Sequence, residues 1–273
     1  MVGKLPPLSN IKARANIIDK NCFGYKIYSM NINLIKFDCL QSTNDYIKQN
    51  YNNLESGTLI IANEQTNGRG RLGRNFYSPK NGLYFSLLIK NIELEKIENI
   101  TPIIAVSTMC AIKEFTGLQT EIKWVNDLLL SDKKVCGILC ESKLSRRTAE
   151  YCIAGVGINI RLPENGFPHE IQPYAGALFD HGKELPKDFN EKLALNIAIR
   201  TLDFIDDYKN KSFLNEYREH FYLSGKKITI KRGEEYIDGI VKGVNDSCNI
   251  ILSTIDGEKT ILSGNAEKVY DYD

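Results

Sequence analysis

An imbalance of charge is the first thing this chain lacks. Its 273 residues carry 35 Lys and Arg against 34 Asp and Glu, a formal net charge of +1. A general nucleic-acid binder is usually clearly basic, so the balance argues against that class and leaves only local basic patches. Long apolar runs are also missing. No stretch near the N-terminus has the texture of a signal peptide, and none is long enough to cross a bilayer. The expected setting is therefore a reducing cytoplasm with free thiols. The seven cysteines, odd in number and forming no dense framework, fit that setting. Histidine is scarce, with only His169, His181 and His220. Cys136 and Cys140 flank Gly-Ile-Leu and could suggest a metal site. Period-two alternation puts both on one face of a strand, and with so few histidines they read as ordinary buried cysteines. Internal repeats and low-complexity tracts are absent.

What is present is an ordinary globular balance, 42% apolar and 25% charged, in a chain long enough for one large domain and a small one. Residues 1–30 are basic and read as an extension, linker or ordered arm, too short for a helix-turn-helix domain of their own. From 31 to 222 the pattern mixes strands and helices. Strands are expected at 32–37, 58–62, 83–90 and 151–160, with Glu121–Asp127 and Lys134–Glu141 as a hairpin turning near Ser131-Asp132-Lys133. Ser42 is placed to cap a helix. A second helix starts at Thr101 with Pro102 in its first position and stops at Gly117. A long amphipathic helix covers 188–209 and continues through 213–220. After Gly225, five short strands separated by Arg232-Gly233, Asn245-Asp246 and Asp256-Gly257 suggest a small barrel over 223–273.

Residues 67–74 read Asn-Gly-Arg-Gly-Arg-Leu-Gly-Arg. Glycine frees the backbone, and arginine presents a charged fork suited to carboxylate and phosphate. A loop that closes its own arginines over an anion follows. Arg-Gly repeats also occur in RNA-binding tails, but this one is short, internal and followed by well-patterned strands. Lys123-Trp124-Val125-Asn126-Asp127 and Lys133-Lys134-Val135-Cys136-Gly137 come next. Taken singly, each has a bland explanation: a surface ion pair, a core tryptophan, a solvated turn. Gly155 and Gly157 lie inside an expected strand, where glycine marks either a bulge or the close approach of something to the backbone.

Together, Ser42-Thr43-Asn44, Gln65, the Gly/Arg loop, the Lys123–Asp127 segment, Lys134–Glu141 and Gly155-Val156-Gly157-Ile158-Asn159 resemble, in order and spacing, the biotin protein ligases, also called biotin–[acetyl-CoA-carboxylase] ligases. The resemblance runs from about Asn31 to the C-terminus and implies an α+β fold. In it a mixed sheet with helices, of the class II synthetase-like kind, is followed by a small SH3-like β-barrel. It implies activation of biotin by ATP to biotinyl-5′-AMP, then transfer to a lysine of a biotin carboxyl carrier domain. Ser42, Thr43, Asn44, Gln65, Gly68, Arg69, Gly70, Arg71, Lys134, Gly155 and Gly157 are then expected around biotin. Arg69, Arg74, Lys123, Trp124, Asn126, Asp127, Lys134 and Asn159 are expected around the nucleotide. Asp127 is the candidate Mg²⁺ ligand, Phe167 a candidate for stacking on adenine, and Lys134 and Arg71 the catalytic pair.

Two departures accompany the resemblance: Val125 stands where the family usually has proline, and Ala175-Gly176-Ala177-Leu178 replaces a hydroxyl-bearing segment. The resemblance also admits a lipoate or octanoate ligase or transferase, a homodimer, and a biotin-responsive DNA-binding repressor. The last needs a basic recognition helix that the sequence does not show, and DNA and membrane partners are not expected.

Overall fold

Alternation of apolar residues builds a sheet whose central strands are buried on both faces. The structure, a computed structural model, describes residues 9–21, 24–262 and 264–270. Two long strands, β1 (Ser9–Asn21) and β2 (Gly24–Leu40), pair antiparallel. The residues read as an extension or linker thus run, where described, into the same sheet as the rest. The first helix, α1 (Thr43–Asn50), follows; the Ser42 hydroxyl accepts its Asp45 N–H at 3.3 Å, as expected of a cap. The next strand, β3 (Thr58–Gln65), lies parallel to β2, and β4 (Leu83–Glu93) lies antiparallel to β3.

A short α2 (Leu94–Ile97) then leads to α3 (Ile100–Thr116). This helix starts earlier than expected, after Asn99, whose carbonyl accepts the Ile103 N–H at 2.9 Å. Pro102 sits in the third position, tolerated because first-turn N–H groups have no intrahelical acceptor. Gly117 ends the helix at φ 74°, as expected. The stretch read as a single strand over 121–127 is broken into β5 (Glu121–Lys123) and β6 (Asp127–Leu130), because Trp124–Asn126 form a turn through a cis Trp124–Val125 peptide. The hairpin then reaches β7 (Lys133–Leu144) through Ser131 and Asp132, both left-handed. With β8 (Thr148–Ile158) the sheet has eight strands in the order β1-β2-β3-β4-β8-β7-β6-β5.

The expected continuous C-terminal helix is also divided. Lys211, left-handed at φ 49°, separates α4 (Phe189–Asp206) from α5 (Ser212–Glu219). The last strands, β9 (Lys227–Arg232), β10 (Glu235–Val244), β11 (Ile250–Thr254), β12 (Gly257–Ile261) and β13 (Asn265–Tyr270), form a small antiparallel sheet of the SH3-like kind, ordered β12-β11-β10-β9-β13.

The strand period assigns the two faces of the large sheet. Leu59, Ile61, Phe85 and Leu87 face the main core with α3 and α4, where Ile103, Val106, Leu193 and Ile197 are buried. Ile60, Leu88, Tyr151 and Ile153 point the other way and pack under Ile47 of α1. Ser86 and Gly155 share that second face. The main core supplies rigidity from behind, so the α1 face is free to hold polar side chains. Cys136 and Cys140 lie four residues apart on β7, roughly 13 Å at strand rise, too far for one ion. Among the described residues no helix is long and apolar enough to cross a membrane.

Candidate active site

A cavity of ≈ 250 Å³ opens on the α1 face, between the Gly/Arg loop, the β5–β6 turn and the middle of β7 and β8. One end is neutral and polar. The Thr43 N–H donates to Gln65 Oε1 at 2.9 Å, and the Thr43 hydroxyl lies 3.2 Å from the same oxygen. Gln65 Nε2 donates to Ser78 Oγ at 3.1 Å, which donates to Phe76 O at 2.8 Å. Asn44 donates to Leu139 O at 3.3 Å and to Glu141 Oε2 at 3.0 Å. Its Oδ1 accepts from the buried Ser86 hydroxyl at 2.6 Å. Ser42, Thr43 and Asn44 are themselves buried, so the network fixes their rotamers.

The other end is cationic. Arg69, Arg71, Arg74, Lys123 and Lys134 line the cavity against one carboxylate, Asp127. In a nearly neutral chain, that concentration of charge is an anion site. Lys134 Nζ lies 2.7 Å from Asp127 Oδ1 and 5.7 Å from the Phe76 ring centroid. Asp127 Oδ1 is buried, and the Lys134 ammonium compensates it. Arg71 donates to Asn126 Oδ1 at 3.3 Å, and burial lowers its guanidinium pKa. Asn126 in turn donates to Ile138 O at 2.9 Å, which ties the β5–β6 turn to β7.

The Gly/Arg loop is a tight excursion. Gly70 N–H donates to Arg74 O at 2.7 Å, Phe76 N–H donates to Gly68 O at 2.9 Å, and Leu72 stands exposed at its apex with φ 56°. Arg69 has partners other than the expected anion. It pairs with Asp45 of α1 and lies 3.7 Å from Glu141, so it straps the loop to the helix. Burial raises the Glu141 pKa, but hydrogen bonds from Asn44 and Lys48 and the charge of Arg69 together hold it below the usual carboxylate range.

The expected site residues converge with few exceptions. Ser42, Thr43, Asn44, Gln65, Arg69, Gly70, Arg71, Arg74, Lys123, Trp124, Asn126, Asp127, Lys134, Gly155 and Gly157 all line this cavity. Gly68 is not on the wall; a Cβ there would collide with Phe76 O and Ser78 Oγ. Asn159 is not on the wall either. It is buried, its amide donates to Gly176 O at 2.8 Å, and it staples Tyr174–Gly176 alongside Lys134. Phe167 is buried elsewhere and does not line the cavity. The β8 glycines do not mark a bulge, since their pairing with β4 and β7 is regular. Side chains of the protein itself take the space they leave. A Cβ on Gly155 would overlap Asn44 Oδ1, and one on Gly157 would lie 2.5 Å from Phe76 Cε1.

Sequence reasoning missed Phe76. Its ring rests on Gly137 and Gly157 beside Lys134 and forms a wall between the two ends of the cavity. The signal was there: two glycines on paired strands, and one aromatic just after the arginine loop. Ala266, from the C-terminal sheet, also lines the cavity and was not expected.

A strand-borne glycine floor, a polar amide end and a cationic loop together suit a small molecule with a polar head and an anionic tail. The model of the biotin/lipoate A/B protein ligase family matches residues 36–159. The chain is 32% identical over 251 residues to the bifunctional ligase/repressor BirA of Bacillus subtilis, covering 90% of this chain and 77% of that protein. It is 27% identical over 223 residues to a biotin–[acetyl-CoA-carboxylase] ligase of Paracoccus denitrificans, covering 76% of this chain and 89% of that one. A solved structure of the Aquifex aeolicus biotin protein ligase, in complex with biotin and ATP, superposes with a TM-score of 0.72 at 31% identity. It covers 85% of this chain and 96% of the Aquifex chain. The chain belongs to the biotin/lipoate A/B protein ligase family and, within it, to the biotin protein ligases.

Proposed function

We propose that this chain activates biotin with ATP to biotinyl-5′-AMP and transfers the biotinyl group to a lysine of a biotin carboxyl carrier domain, such as that of acetyl-CoA carboxylase. The carrying observation is the polarity of the cavity: an amide and hydroxyl network at one end and five cations, Lys134 among them, at the other. A ureido ring needs both donors and acceptors, which Ser42, Thr43 and Gln65 offer. The dithiolane of lipoate needs neither, so this network favours biotin over the lipoate alternative. The carboxylate at the tail then falls among Lys134 and Arg71.

In the first step a biotin carboxylate oxygen attacks the α-phosphorus of ATP, the bond to the bridging oxygen breaks, and pyrophosphate leaves. Two anions must approach each other, and charge builds on the phosphoryl oxygens. Lys134 is placed to neutralise both, with Arg71, Arg74 and Lys123 toward the nucleotide. In the second step the acceptor lysine, deprotonated, attacks the acyl carbon and AMP departs with the C–O bond electrons. Arg69 keeps the loop on α1, which shields the adenylate from water. The Phe76 ring, between the two ends, is placed to pack on both ligands. Mg²⁺ at nucleotide sites is commonly bound by one or two carboxylates plus phosphate oxygens and water. Asp127, with a buried oxygen compensated by a movable ammonium, fits that role and would hold the ion against the phosphates. The ion would supply further neutralisation of phosphate charge.

The test is biotin-dependent exchange of pyrophosphate into ATP, followed by the mass of a recombinant biotin carrier domain incubated with enzyme, biotin and Mg-ATP. Exchange with biotin but not lipoate, and a mass gain of one biotinyl group, are expected. Exchange supported by lipoate and not biotin would refute the assignment.

A further inference from the structure

The C-terminal sheet reaches the cavity at two points. Ala266 of β13 forms part of the wall. The indole N–H of Trp124 donates to the carbonyl of Cys248, in the loop between β10 and β11, at 3.0 Å. Trp124 is the chain's only tryptophan, 6% exposed, and it also lines the cavity. Its polar atom thus points away from the cavity and into the other sheet.

That loop is built to hold one carbonyl still. Asn245 Oδ1 accepts the N–H groups of Ser247 and Asn249, each at 3.0 Å, and Asn245 O accepts the Cys248 N–H at 3.0 Å. Cys248 is buried and left-handed at φ 54°, a conformation that needs such support in a residue with a Cβ. Asp246 anchors the loop from outside. Its carboxylate meets Arg218 at 2.8 Å and Lys211 at 3.4 Å, and its carbonyl accepts from Asn99 at 3.3 Å. From Trp124 the chain runs directly to Asn126, the partner of Arg71, and to Asp127, the partner of Lys134.

We infer that the Asn245–Asn249 loop is a positioning element for the nucleotide half of the site. The Cys248 carbonyl, fixed by Asn245, holds Trp124 and, through the same turn, sets Asn126 and Asp127 where Arg71 and Lys134 can meet the nucleotide. Asn245 is a positioning residue. The inference rests on the ligase reading for the identity of the nucleotide. It predicts selectivity: the biotin end, built from α1 and β3, is held by Ser86, Gln65, Ser78 and Glu141 and, among the described residues, receives no hydrogen bond from this loop.

The experiment uses the full chain. Pyrophosphate exchange is measured against ATP and biotin separately for Asn245→Ala, Asn245→Asp, Trp124→Phe and the double variant Asn245→Ala/Trp124→Phe. Loss of the buried hydrogen bond should raise the KM for ATP by about three- to tenfold in Asn245→Ala and in Trp124→Phe. The KM for biotin should stay within about twofold, and Asn245→Asp, which keeps an oxygen acceptor, should recover the parent value. The double variant should be no worse than either single, because both break one link. Trp124 emission should change in Asn245→Ala without substrates. Equal rises in both KM values, effects that multiply in the double variant, or unchanged emission would overturn the inference. Absence of any exchange in the parent chain would instead overturn the ligase reading, and the emission measurement would still judge the coupling.

Discussion

Replacing Lys134 by alanine separates folding from catalysis. The ammonium lies 2.7 Å from Asp127 Oδ1, and the two side chains are 34% and 24% exposed. A pair this open to solvent contributes under about 1 kcal/mol to stability, so the melting temperature should fall by no more than about 4 °C in a chain of this size. On the proposed mechanism the reaction depends on the same group far more. One preorganised charge aimed at developing negative charge is worth about 3–4 kcal/mol, or roughly 10²–10³-fold in rate. Arg71, Arg74 and Lys123 remain to bind the nucleotide, so the loss should appear in the rate of adenylate formation with a smaller change in ATP affinity. Single-turnover formation of biotinyl-AMP, run beside a thermal melt, reads both quantities. A rate within about threefold of the parent, with the melt unchanged, would refute the role given to Lys134. A melt lowered by much more than about 4 °C would show that the Asp127 pair is structural first.

Other variants probe the supports of the site. Gly155→Ala places a methyl group on Asn44 Oδ1 and should cost about 1–3 kcal/mol of stability by overpacking, with biotin affinity weakened at least tenfold in calorimetry; unaltered biotin binding would sever Asn44 from the site. Glu141 has a carboxyl pKa held below the usual range in the folded chain. Its contribution to stability is therefore complete above the unfolded carboxylate pKa and disappears as pH falls through the lowered native value. Melting temperatures between pH 6 and pH 3 should show a shallower acid decline for Glu141→Gln than for the parent, and parallel curves would contradict the linkage. The buried thiols of Cys136, Cys152 and Cys248 should resist iodoacetamide at pH 8, since burial raises their pKa values, to about 11 for Cys152 and about 12 for Cys248. Rapid alkylation of these three in native buffer would mean that the protein opens locally.

The parts of the fold that local chemistry determines were legible in the sequence. Ser42 as a cap, Gly117 as a helix end and Ser131-Asp132 as a hairpin turn all follow from one residue's own conformational preferences. The errors fall where a tertiary partner decides. The 121–127 stretch has strand propensity throughout, yet it breaks at Trp124, whose indole is taken by a carbonyl 124 residues away. The amphipathic pattern of 188–209 resumes at 213–220, yet Lys211 turns left-handed and divides the two helices. The distant partner of Trp124 leaves no mark in the local pattern.

The site shows the same division at finer scale. Residues whose chemistry is carried by their own side chain, such as Lys134, Arg71 and Asp127, stand out as charges at spaced positions and fall on the cavity wall. Residues whose value lies in what they leave out cannot be read alone. Gly137, Gly155 and Gly157 look like weak points in strands until β7 is placed beside β8, which aligns Gly137 with Gly157. Only then does the pair become a floor that a flat ring can cover, and Phe76, unremarkable in a stretch of Asn-Phe-Tyr-Ser, becomes the residue that covers it. Asn159 is the converse case. Its amide group has the chemistry to contact a phosphate, but register places it opposite the carbonyl of Gly176, where it stabilises the strand edge beside Lys134. The Gly176 carbonyl thus claims the Asn159 amide, and sequence alone does not contain that competition.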